Sequence, residues 1–243
     1  MGKSIEAIRQ YLKENKSDDD IYTKLSRMNI STQDKVMYCL WLNGWKNKAR
    51  NAGTKVLQDF EIFEYYVFPV ARKFLTQFTG LTINGTRNPV WQNGIPKEQQ
   101  YKYQVNITKE VDITDIAISE ALQIKKDELL IPIAWEDRFW VMPTLYLSET
   151  GKVYYSYEGN IGIEANNLCS YFAQVFGFEP KLRSEDKKEE VFADYELISQ
   201  IEDDLNQGNY ISYAQKRFSR NGGVPNPLTA DDDFTKTFLA TTD

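Results

Sequence analysis

Between Leu129 and Phe178 the chain carries its densest run of β-forming residues, and that run constrains the fold more than any other stretch. Leu129 to Trp135 is apolar and bounded by charges, the pattern of a buried strand. Phe139 to Leu147 is aromatic and branched, and reads as a second strand. Ser148 to Lys152 holds a glycine among small polar residues, so the chain turns back there. Val153 to Tyr157 alternates, placing Val153, Tyr155 and Tyr157 on one face and Tyr154 on the other. Glu158-Gly159-Asn160 is a second turn, and Ile161 to Ile163 a short last strand. Asn166 to Phe176 then reads as a helix with Leu168, Tyr171, Phe172 and Val175 on one stripe. The expectation is an antiparallel meander closed by a helix.

Helical spacing dominates the chain before this run. Ile5, Ile8, Tyr11 and Leu12 define a first helix with Ser4 as its N-cap. Ser17 to Asp20 starts a second, with acids at the positive end of the helix dipole. A third begins at Ser31-Thr32 and stops at Asn43-Gly44, where glycine permits a left-handed backbone. Trp45 to Lys55 reads as a solvated basic loop. Asp59 to Phe78 reads as one long helix that Pro69 must kink or split. Leu81 to Ile83 and Tyr101 to Ile107 are strand-like, separated by an Asn-, Gly- and Pro-rich loop that carries Trp91. Thr114 to Ile124 is helical. Beyond Gly177 the character changes: Pro180 to Glu190 is charged, Val191 to Leu205 has helical spacing, and the chain after Ser219 is polar and irregular.

Chemistry is constrained by what the composition lacks. The 243 residues include no histidine, which removes imidazole acid–base catalysis, His-dependent nucleophile triads and His-ligated metal sites. Cys39 and Cys169 are the only cysteines, and both fall in helical runs as buried free thiols, not a disulfide framework or zinc site. No phosphate-cradling glycine motif, nucleophile elbow or redox pair of cysteines is present. Glu136-Asp137-Arg138 falls at an expected turn between strands, and neighbours in a turn do not face each other across a cleft as paired catalytic carboxylates must. The formal net charge is -6, which suits a basic protein partner and not nucleic acid. No apolar run is long enough to span a membrane, and the N-terminal residues lack a signal sequence, so the expected compartment is the cytoplasm.

From Asn43 onward the order of motifs resembles the SUKH superfamily of immunity proteins. The resemblance rests on Gly44-Trp45, on Phe74 to Leu81 as a turn in which Thr79 replaces a family glycine, and on Leu130-Ile131-Pro132-Ile133. It continues through Gly151-Lys152-Val153-Tyr154, Ile161-Gly162-Ile163 and the helix Leu168 to Phe176. It covers roughly residues 43–178. It implies an α+β fold with a mostly antiparallel or mixed sheet and helices packed on one face, flanked by helical extensions over 1–43 and 179–243. It also implies a non-enzymatic protein that binds and neutralises a polymorphic toxin, such as a nuclease, by direct contact; the residues themselves lead to no expected cofactor or metal. An acidic inhibitor suits the basic cleft of such an enzyme. The contact residues expected from exposure near the sheet and its loops are Trp91, Glu136, Asp137, Tyr154, Glu158 and Glu164. A scaffold or regulatory protein of the same fold, and a carboxylate-dependent hydrolase, stand as the alternative functions.

Overall fold

The computed structural model describes residues 2–17, 19–86, 103–137, 142–157, 160–180, 191–192 and 194–220. Helices α1 (Gly2–Glu14), α2 (Ile21–Ser26), α3 (Thr32–Leu42), α4 (Asn51–Ile62) and α5 (Pro69–Phe78) come first. Strands β1 (Thr82–Asn84) and β2 (Gln104–Ile107) lead into α6 (Ile113–Lys126). Then follow β3 (Leu130–Asp137), β4 (Thr144–Ser148), β5 (Val153–Tyr157) and β6 (Asn160–Ala165). Helix α7 (Leu168–Val175), strand β7 (Val191–Phe192) and helices α8 (Tyr195–Asn206) and α9 (Tyr213–Arg220) complete the described chain.

Short polar side chains set where these helices start. Asp20 Oδ1 accepts from Thr23 N at 2.9 Å, Ser31 Oγ from Asp34 N at 3.1 Å, Asp112 Oδ1 from Asp115 N at 2.8 Å and Asn167 Oδ1 from Ser170 N at 2.8 Å. Each satisfies one of the amides that a helix start leaves without an internal partner. The acidic stretch before α2 is thus put to structural use: Asp20 caps, and Asp19 pairs with Arg27 at 2.5 Å. Gly44 has φ +87°, the left-handed stop expected after α3. Helix α1 begins at Gly2, two residues ahead of the start expected at Ser4.

The long helix expected over Asp59 to Phe78 is two helices. α4 begins at Asn51, inside the expected basic loop, and ends at Ile62; the chain reverses through Glu64 at φ +51°, and Pro69 opens α5 at its first turn. Proline lacks the amide a helix interior needs but costs nothing at a helix start. Val191-Phe192, expected to open a helix, instead forms the edge strand β7.

Among the described residues all strands are antiparallel and lie side by side in chain order, β1 to β7, in a seven-stranded sheet. The α+β class and the antiparallel meander are as expected. The packing is two-sided rather than one-sided. On one face Ile83, Val105, Ile107, Ile131, Leu145, Leu147 and Val153 join Phe60, Phe74, Phe78, Phe172 and Phe176 in the main core. Ile8 of α1 and Leu25 of α2, both fully buried, belong to that same cluster. Each such aromatic or branched side chain contributes about 1.5–3 kcal/mol on burial. On the other face the alternate residues Leu130, Tyr146, Tyr154 and Ile161 pack against Leu122 of α6. Ala117 and Ala121 of α6 in turn seat Ile198 and Ile201 of α8.

A buried polar network fastens α6 in place. Tyr65 Oη donates to Leu130 O at 2.6 Å and lies 2.7 Å from Ser119 Oγ. The Glu120 carboxylate accepts from Tyr210 Oη at 2.5 Å and from Tyr213 N at 2.7 Å. Burial raises the pKa of Glu120 while these donors act to lower it.

Candidate functional site

The geometry of β3 decides which side chains the sheet displays. Pairing with β4 runs Ile131 to Leu147 and Pro132 to Tyr146, then shifts so that Ala134 faces Leu145 and Trp135 faces Thr144. Ile133 is the extra residue of a β-bulge. Proline inside a sheet occurs at such irregularities because it cannot donate to the ladder. Past the bulge the side-chain alternation changes parity. Ala134 and Glu136 therefore point into the main core beside Ile107 and Val105, their partners on β2. Trp135 and Asp137 point to the second face.

Among the described residues that face is open at the β1–β2 end. Opposite Trp135 stand Asn106 on β2 and Thr144 on β4; beyond Asn106 stands Thr82 on β1. Their side chains are exposed or half-buried. Thr82 Oγ1 donates to Asn106 Oδ1 at 2.9 Å, which orients the amide. Trp135 is 41% exposed and Met142 65% exposed, in a protein that buries most of its large apolar side chains. Both line an open groove of 590 Å³, together with Asn106, Lys109, Glu110 and Asp115. Burial, with Asp112 beside it, raises the Asp115 carboxyl to about 6. The groove thus offers an indole face, a flexible thioether, neutral hydrogen-bonding side chains and two carboxylates against one lysine. Such a set holds a partner by stacking, hydrogen bonding and ion pairing.

The residues expected to be exposed contacts are distributed differently. Glu136, 0% exposed, lies in β3 and not in a turn; its Oε1 accepts from Tyr171 Oη at 2.7 Å and also from Tyr103 Oη. The bulge is what turned it inward. Tyr154 is buried because α6 covers its face of the sheet, and its hydroxyl donates to Glu128 Oε2 at 3.0 Å. Glu164 is buried at a second irregularity, where Ala165 and Ile163 of β6 pair with successive residues of β5. Asp137 is half-buried beside Gln104 on the open face. Trp91 and Glu158 lie outside the described residues. Trp135, Met142, Glu110 and Asp115 were not singled out from the sequence, although Pro132 carried the signal for the bulge that exposes Trp135.

The buried carboxylates serve as acceptors of structural hydrogen bonds. Glu120 holds Tyr210 and Tyr213, Glu136 holds Tyr103 and Tyr171, and Glu149 accepts from Leu129 N at 3.1 Å and pairs with Arg217. None of the three lines the groove. Cys39 is a buried free thiol and Cys169 is half-buried. Among the described residues no group of three or more His, Cys, Asp or Glu is arranged to hold a metal ion, and no helix is long and apolar enough to cross a membrane.

Comparison with protein-family models matches residues 33–172, more than half of the 243-residue chain, to the family described as SUKH-3 immunity protein. The match runs from α3 into α7 and contains the whole groove. No curated protein and no solved structure matches the chain.

Proposed function

The chain belongs to the SUKH-3 immunity protein family, and from that premise we propose that it protects a cell by binding a cognate protein toxin directly and blocking its action. The family match, which bears out the resemblance drawn from Gly44-Trp45 to Phe176, carries this reading. It is supported by the net charge of -6, which favours a basic partner and speeds encounter with one. Toxins that act on nucleic acids have basic clefts, so a nuclease is the toxin class that fits best. The protein acts in the cytoplasm, stoichiometrically and without turnover. The buried carboxylates Glu120, Glu136 and Glu149 accept structural bonds from Tyr210, Tyr103, Tyr171 and Leu129, which supports a binding role over a hydrolytic one.

A growth assay tests the reading. The toxin domain encoded beside this gene is expressed from an inducible promoter, with and without this protein. Growth restored only by co-expression supports it. A neighbouring product that is harmless alone, or toxicity that persists with this protein present, overturns it and favours a regulatory binding protein instead.

A further inference from the structure

The same reading can be carried to a surface and a recognition chemistry. We propose that the toxin docks on the open face of β1–β3, laying a surface arginine across the Trp135 indole and pairing it with the carboxylates of Asp115 and Glu110.

The helices that cover the rest of this face stop short of Trp135. Leu122 and its neighbours in α6 seal Leu130, Tyr146, Tyr154 and Ile161, while among the described residues no helix lies over Thr82, Asn106, Trp135 and Thr144. The bulge at Ile133 decides which side chain of β3 stands on this face. An unbroken alternation from Ile131 would carry Ile133 and Trp135 into the core and leave Glu136 outside. The observed strand keeps Ile133 in the core and exchanges faces only beyond it, burying the Glu136 carboxylate and presenting the Trp135 indole. Large exposed apolar groups framed by polar ones mark interaction surfaces.

Charge decides the occupant. Among the described residues Glu110 and Asp115 line the groove against Lys109, and the whole chain is acidic. An arginine uses every part of this surface. Its planar guanidinium stacks on an indole, its donors meet carboxylates in pairs, and its weak hydration makes burial cheaper than for a lysine. Asn106 and Thr144 supply neutral hydrogen bonds at the floor, and Met142 can adapt its shape to a neighbouring apolar group. Asp115 adds a signature of its own. Its carboxylate is disfavoured by burial in the free protein, so the fold gains nothing from the charge that a cationic partner would use.

The test is calorimetric titration of the full chain with the purified toxin domain encoded beside its gene. Four forms are compared: wild type, W135A, E110Q/D115N and, as control, I62S at the exposed end of α4. The expected result is a loss of affinity of about tenfold or more for W135A and for E110Q/D115N, the range of interface anchors. The control stays within about twofold. Melting temperatures are recorded alongside. If W135A is destabilised, E110Q/D115N decides, because that pair is expected to hold or raise stability while binding falls. Wild-type affinity in both groove variants overturns this surface and leaves toxin binding intact. No binding by the wild type overturns the functional reading, and the surface with it.

Discussion

Tyr171 of α7 donates its phenolic hydroxyl to Oε1 of Glu136 on β3 at 2.7 Å, inside the main core. Tyr103 donates to the same oxygen, so one carboxylate joins a helix, a strand and the entry to β2. Removing it strands two buried hydroxyls and leaves a cavity. Glu136→Ala should cost about 2–4 kcal/mol in urea denaturation, whereas Glu136→Gln, which keeps an acceptor oxygen, should cost about 1 kcal/mol. Equal losses would show that the hydrogen bonds do not matter.

Trp135 and Phe172 make a contrasting pair. Phe172 is fully buried and stacks with Phe78 at 5.8 Å between ring centroids, so Phe172→Ala should cost about 3–5 kcal/mol. Trp135→Ala should cost about 1 kcal/mol, because much of the ring already meets water. Thermal melts of the two variants separate these values.

Asp115 should make stability fall as pH rises. Its folded pKa, raised to about 6, lies above the ordinary value of 3.8, so the folded protein holds this proton more tightly than the unfolded chain. The contribution is fully present below about pH 4 and is lost as pH climbs through 6. Asp115→Asn should therefore exceed wild type by about 1–2 kcal/mol at pH 7.5, relative to their difference at pH 4. Chemical denaturation at the two pH values measures it; a difference independent of pH would refute the assignment.

Gly53 lets α4 approach the end of α5. A Cβ built there would stand 2.7 Å from both Leu75 O and Thr76 Cα. Backbone atoms cannot swing aside, so Gly53→Ala must separate the helices. Although alanine is the better helix former, the expected result is a loss of about 1–3 kcal/mol, the usual cost of overpacking. A gain in melting temperature would contradict this contact.

Much of the architecture was legible because it rests on local rules. The caps at Asp20 and Ser31, the stop at Gly44, the turn at Gly151 and the stripe of α7 follow from side-chain chemistry and period alone. Alternation in β5 correctly set Val153 and Tyr154 on opposite faces. It could not say that α6 lies over Tyr154, since that contact joins residues far apart in the chain. The pieces of the site failed for the same kind of reason. Glu136 and Glu164 are acidic, and acidic residues are ordinarily exposed; the hydroxyls of Tyr103 and Tyr171 hold Glu136 inside, and Glu164 is buried at a strand irregularity.

The sequence by itself determined an acidic, histidine-free α+β protein built on an antiparallel meander, and it marked the family through motifs that recur in fixed order. The tertiary structure alone decided which residues of β3 stand on the face that the described helices leave open. The reason lies in one residue of slippage at Ile133. Side chains alternate along a strand, so a single bulge exchanges inside for outside from that point on, and here it traded Glu136 for Trp135.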